Sequence, residues 1–79
     1  MTANRIFTHH LEFELDDDGG LVKDRQSGDI LGMIEWYGMW REFIFDPSIA
    51  SVFSCDCLTD IAAQISRMNA RSEEENPNV

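Results

Sequence analysis

Apolar and polar residues alternate from the start of the chain. Between Ile6 and Leu15, Phe7, Leu11, Phe13 and Leu15 fall on one parity, and Thr8, His10, Glu12 and Glu14 on the other. A period of two is the pattern of a half-buried strand, so one strand is expected over 6–15. Asp16-Asp17-Asp18-Gly19-Gly20 then combines carboxylates that are costly to bury with glycines that accept positive φ, which predicts a solvent turn. A short second strand, Leu21 to Gln26, leads to a Ser27-Gly28-Asp29 turn and a third strand, Ile30 to Tyr37, rich in branched and aromatic residues. Gly38 stands where a two-residue type II′ connection needs a glycine, so a Gly38-Met39 loop and a fourth strand, Trp40 to Phe45, are expected before Asp46-Pro47. That loop pairs Tyr37 with Trp40, Trp36 with Arg41, Glu35 with Glu42, Ile34 with Phe43 and Met33 with Ile44. One face of the hairpin then carries Ile30, Ile34, Trp36, Phe43 and Phe45; the other carries Tyr37, Trp40, Met33 and Ile44 around Glu35 and Glu42.

After the connecting stretch 48–53 the period changes. Leu58, Ile61, Ala62, Ile65 and Met68 recur at helical spacing, Ser54 is a suitable N-cap, and Asp56 places a carboxylate in the first turn. One amphipathic helix over about Cys55 to Ala70 is predicted. Residues 72–79, with Glu73-Glu74-Glu75 and Pro77, are expected to form a disordered acidic tail behind a single domain over 1–71. The fold class is therefore α+β: an antiparallel meander of about four strands, with the C-terminal helix packed on one face.

Composition narrows the function classes. Seventy-nine residues suit one small domain, and 15 Asp and Glu against 6 Lys and Arg give a net charge of −9. Direct nucleic-acid binding is disfavoured, because phosphate contacts need clustered Lys and Arg. No apolar run approaches the roughly 18 to 20 residues that span a bilayer, and Met1 to Arg5 lack the apolar stretch of a signal peptide. No membrane partner and a cytoplasmic location are expected. Cys55 and Cys57 are too close in sequence to staple distant parts of a fold, so both are expected as free thiols.

Candidate catalytic and metal chemistry is thin. Cys55-Asp56-Cys57 with His9 and His10 suggests zinc, but paired zinc cysteines are usually two to four residues apart, and neighbouring histidines on a strand point to opposite faces. His9 is expected on the inward parity and His10 in solvent. Cys55 near a helix N-terminus would have a lowered pKa, yet nothing supplies a base or an oxyanion site. Glu35 opposite Glu42 resembles a carboxylate pair, with two solvated carboxylates as the plainer explanation. Arg41 opposite Trp36 suggests a stacked guanidinium. No catalytic residue, metal site or cofactor is assigned, and no enzyme activity is expected.

The acidic distribution points to a partner. Glu12, Glu14 and Asp16 alternate along the outward face of the first strand at about 6.8 Å per step, close to two base-pair rises of DNA, and Asp17 and Asp18 prolong the row. Such a row can occupy a basic nucleic-acid channel on another protein, although acidic surfaces also serve solubility alone. Tyr37 and Trp40, with Glu35 and Glu42 beside them, form the second half of the expected partner-binding set, since exposed aromatics are enriched at interface cores.

The stretch Gly32-x-Ile34-x-Trp36-Tyr37-Gly38-x-Trp40-Arg41-x-Phe43-x-Phe45-x-Pro47, followed by Val52-Phe53 and Cys57-Leu58-x-Asp60-Ile61, resembles short uncharacterised proteins of phages, prophages and mobile elements. With its size and acidity, the chain also resembles the class of small anti-CRISPR inhibitors. The resemblance implies an inhibitor of a host nucleic-acid-binding defence complex, with a CRISPR effector as partner, acting in the host cytoplasm. It transfers a class of function and no individual site. The alternative is an interaction module without inhibitory role, or a homodimeric regulatory protein joined through the open sheet face.

Overall fold

The computed structural model describes residues 4–75. The alternation expected of one long strand belongs to two. β1 (Asn4–Phe7) and β2 (Leu11–Asp16) fold back on each other, with Ile6 opposite Phe13 and Phe7 opposite Glu12. Thr8, His9 and His10 carry none of the usual turn residues; the Thr8 N–H donates to the Leu11 carbonyl at 2.9 Å across the turn, and long-range contacts from Arg25 add to it. The Arg25 guanidinium donates to the Thr8 carbonyl at 2.9 Å, and the Arg25 backbone N–H donates to the His10 carbonyl at 3.0 Å. The reversal changes the parity, so Phe7 faces away from the core and is 53% exposed. His9, expected inward, is exposed as His10 is, and the two rings meet edge to face at 4.3 Å.

β3 (Gly19–Asp24), β4 (Ile30–Tyr37) and β5 (Glu42–Pro47) complete a five-stranded antiparallel meander in the order β1-β2-β3-β4-β5. The fold class expected from the sequence is therefore present, with one more strand. Asp17-Asp18 connect β2 to β3, and the Asp16 carboxylate accepts the Asp18 N–H at 2.8 Å. The next turn is closed by Asp24, whose carboxylate accepts the N–H groups of Gln26 and Ser27.

Two register features depart from expectation. A bulge lies in the β3–β4 pairing, where Val22 faces Gly32 but Lys23 faces Ile30. Leu31 thereby packs on the core and Ile30 turns out to solvent, so Ile30 does not share the face of Ile34. The β4–β5 loop has four residues, Gly38 to Arg41, in place of two. Tyr37 pairs with Glu42, Trp36 with Phe43, Glu35 with Ile44 and Ile34 with Phe45. The Tyr37 carbonyl accepts from both Trp40 N–H at 3.2 Å and Arg41 N–H at 2.9 Å. The left-handed residue is Arg41 (φ 55), and Gly38 has no positive φ, so the type II′ expectation fails. Because the slip is two residues, an even number, each side chain keeps its face.

α1 (Cys55–Glu75) crosses the inward face. Ser54 caps it as expected, its hydroxyl accepting the Cys57 N–H at 3.1 Å. The helix extends five residues past Ala70, and residues 76–79 of the expected acidic tail lie outside the described residues. Its buried stripe is Cys57, Ile61 and Gln64, with Ile65 and Met68 partly covered, while Leu58 and Ala62 face outward. The buried core joins these to Leu11, Phe13, Leu15, Val22, Ile34 and Phe43. Gly32 has no side chain because a Cβ there would lie 2.7 Å from the Phe45 ring, which instead packs edge to face with Phe53 at 5.3 Å. At the outer edge of β5 the Asn69 side chain accepts the Phe43 N–H at 2.7 Å, occupying a donor that a further strand would need.

Candidate protein-interaction surface

The partner-binding residues expected from the sequence divide into two groups. Glu12 and Glu14 lie on the open face of β2, but their neighbours are cationic. Arg5 on β1 comes within 3.8 Å of Glu12 and 3.7 Å of Glu14, and Lys23 on β3 reaches Glu14 at 2.8 Å. Both carboxylates are largely covered, with side-chain exposures of 15% and 22%. This half of the acidic row is thus neutralised within the sheet.

The Lys23 ammonium, by hydrogen bond first and then by charge, holds the Glu14 carboxyl below the ordinary glutamate range against the opposing effect of desolvation. The Ser27 and Gln26 N–H groups do the same for Asp24. A carboxyl whose pKa is lowered by folding adds stability above its unfolded pKa and loses that stability as pH falls through the folded one. The stability difference between the parent and Lys23→Met is therefore expected to be largest near neutrality and to shrink on acidification below the ordinary glutamate value of about 4.3. Urea midpoints of the two proteins at pH 7, 5, 4 and 3 check it. A constant difference would show that the pair does not stabilise the fold through ionisation.

The second group gathers at one end of the sheet and is exposed except for half-buried Glu35. Asp16 ends β2, Asp17 and Asp18 form the β2–β3 turn, and adjoining Gly19 faces Glu35 on β4. Two residues further on, Tyr37 begins the loop that carries Met39 and Trp40 beyond the sheet. Met39 is 82% exposed and Trp40 67%. The Tyr37 and Trp40 rings meet edge to face at 5.0 Å, and the Tyr37 hydroxyl donates to the Met39 sulfur at 3.5 Å. The tip is therefore a three-residue cluster ordered by its own contacts and open to solvent. Glu42 faces Tyr37 and Glu35 faces Ile44, so the two glutamates are not the opposed pair that the shorter loop implied.

Several surface residues escaped the sequence pattern. Phe7 is exposed because of the unforeseen β1–β2 turn, and its ring lies 5.4 Å below the Arg25 guanidinium, whereas Phe43 takes the place opposite Trp36 expected for Arg41. Trp36 lies on the helix side as expected, edge to face with Phe43 at 5.2 Å, yet remains 45% exposed. Its indole lines a groove of about 480 Å³ between the Asp16 to Asp18 turn and the last turns of α1, with Phe43, Met68 and Arg71. Arg71 reaches across to Asp17 at 3.1 Å. Only the long-range placement of the helix end beside the turn makes this groove, and no local spacing signals it.

Cys55 is exposed and Cys57 buried, both as free thiols. Among the described residues no group of three or more His, Cys, Asp and Glu is placed to hold a metal ion, and no helix is long and apolar enough to cross a membrane. Comparisons of the chain with protein-family models, curated proteins and solved structures find no match.

Proposed function

We propose that the chain is a small acidic inhibitor that docks its turn-and-tip end on a basic, nucleic-acid-binding surface of a host defence complex. The observation that carries this reading is the convergence of uncompensated carboxylates and ordered exposed aromatics at one end of the sheet. Asp16 and Asp18 supply steering toward positive charge, and Tyr37, Met39 and Trp40 supply area that dries on contact. The resemblance of the hairpin pattern to short phage and mobile-element proteins makes a CRISPR effector the narrowest form of the target. The neutralisation of Glu12 and Glu14 moves the contact from the strand face to the turn.

Expression of the chain in cells with active CRISPR immunity should raise phage plating. With the purified effector, it should lower binding of target DNA. Asp16→Asn with Asp17→Asn and Asp18→Asn should slow association about tenfold at low salt, and Trp40→Ala should quicken dissociation with little change in salt dependence. Unchanged plating and unchanged DNA binding across the effector types would overturn the inhibitor reading. A homodimer through the open face is the second reading, favoured by Phe7 and Met33, exposed at 53% and 40%. Sedimentation at micromolar concentration separates it from the first.

A further inference from the structure

We propose that the groove between the β2–β3 turn and the end of α1 receives an arginine side chain of a partner protein. Its volume of about 480 Å³ is sufficient for a side chain with part of its backbone. Its lining is of two kinds. Trp36, Phe43 and Met68 provide an apolar floor, with the indole half open and braced edge to face by Phe43. Asp16, Asp17 and Asp18 supply the acidic lining, in which Arg71 is the one cation among the lining residues and Asp17 its partner. A planar cation with an apolar stem satisfies both, since guanidinium stacks on an indole and pairs with carboxylates in a fixed fork. Lysine offers a compact, strongly hydrated charge without that plane, and an anionic ligand would meet the carboxylates.

The chain contains its own example of the contact. The Arg71 Nη2 donates to Asp17 Oδ1 at 3.1 Å across the groove, with side-chain exposures of 59% and 49%. An ion pair so open to water is held weakly and can exchange. Arg71 is thus an internal competitor: an incoming arginine takes the Asp17 carboxylate while Arg71 swings into solvent. The inference shares with the proposed function the premise that the acidic end meets a basic protein, but it concerns one groove and one side-chain type.

The test uses the full chain carrying Trp40→Phe, so that Trp36 is the sole indole, and acetylated tri-arginine amide as probe. Tri-arginine should change Trp36 fluorescence saturably, tri-lysine should bind several-fold more weakly, and the neutral tri-citrulline should not bind. Asp17→Asn with Asp18→Asn should weaken tri-arginine about tenfold, the loss of roughly one charge-assisted contact. Arg71→Ala should strengthen it by removing the competitor, an effect opposite to that of damage to the fold. Equal affinity for tri-arginine and tri-lysine, or weaker binding in Arg71→Ala, would overturn the proposal. Failure here with phage plating still raised would sink the groove alone; arginine binding with plating unchanged would sink the inhibitor reading alone.

Discussion

Phe13→Ala is expected to be among the most destabilising single substitutions in the chain. Phe13 is 0% exposed, lies in the second strand between Ile6 and Val22, and is among the largest fully buried side chains. Truncating a buried phenylalanine costs about 3–5 kcal/mol, because the cavity adds to the lost transfer free energy. A 79-residue domain has about 4–12 kcal/mol in total at ordinary stability per residue. One substitution therefore consumes at least a quarter of the stability. The urea midpoint, followed by circular dichroism, should fall by about 2–4 M for the slope usual in small proteins. Ile34→Val, also at a 0% exposed site, should cost only about 0.5–1.5 kcal/mol. If the two variants lost similar stability, the core would not be centred on β2.

The second large effect is expected at Gly19, and Gly38 supplies its contrast. Gly19 has φ +124, and a Cβ there would overlap the Ile34 carbonyl oxygen and lie 3.1 Å from its carbon, both on the backbone of the neighbouring strand. Strained backbone of this kind costs about 1–3 kcal/mol. Displacing β4 adds to that cost, because Gly19 and Gly20 pair with Glu35 and Ile34. Gly19→Ala should thus loosen both the acidic turn and the central strands. At Gly38 a Cβ meets nothing within 4 Å and the backbone is not left-handed, so Gly38→Ala should be neutral or stabilise by up to about 1 kcal/mol. Thermal unfolding of the two variants side by side checks the contrast. For Gly38 this reverses the expectation from the sequence, which placed a glycine there for a type II′ turn, whereas Gly19 was already expected to take positive φ.

That reversal marks the boundary of what the pattern revealed. The expected third strand, Ile30 to Tyr37, was legible to the residue and so was the Ser54 cap, because each rests on local chemistry. The two turns were legible only roughly, since the Asp-rich one expected over Asp16 to Gly20 narrows to Asp17-Asp18 and the one expected at Ser27 to Asp29 already begins after Asp24. Period two also assigned Ile34, Trp36, Phe43 and Phe45 to the helix face even though the register was off by two, since an even slip preserves the face. The β1–β2 turn was not legible. Thr8, His9 and His10 have no intrinsic turn preference, and beyond the Thr8 to Leu11 backbone bond their conformation is held by Arg25, seventeen residues from Thr8. At the surface, Asp16 to Asp18, Tyr37 and Trp40 were recognisable from exposure and type. The neutralisation of Glu12 and Glu14 was not, because it depends on which cations the adjacent strands bring alongside.

The sequence by itself determined an α+β chain with alternating strands, one capped amphipathic helix and a strongly acidic composition. Periodicity and turn chemistry act within a few residues, so they can be read before the chain folds. The tertiary structure decided the number of strands, the bulge that turns Ile30 outward, the partition of carboxylates between paired and exposed, and the groove under Trp36. Each of these depends on residues far apart in sequence. Arg71 meets Asp17 across 54 positions and Asn69 meets Phe43 across 26, distances at which local preference has no influence and only the packing of helix on sheet sets the neighbours.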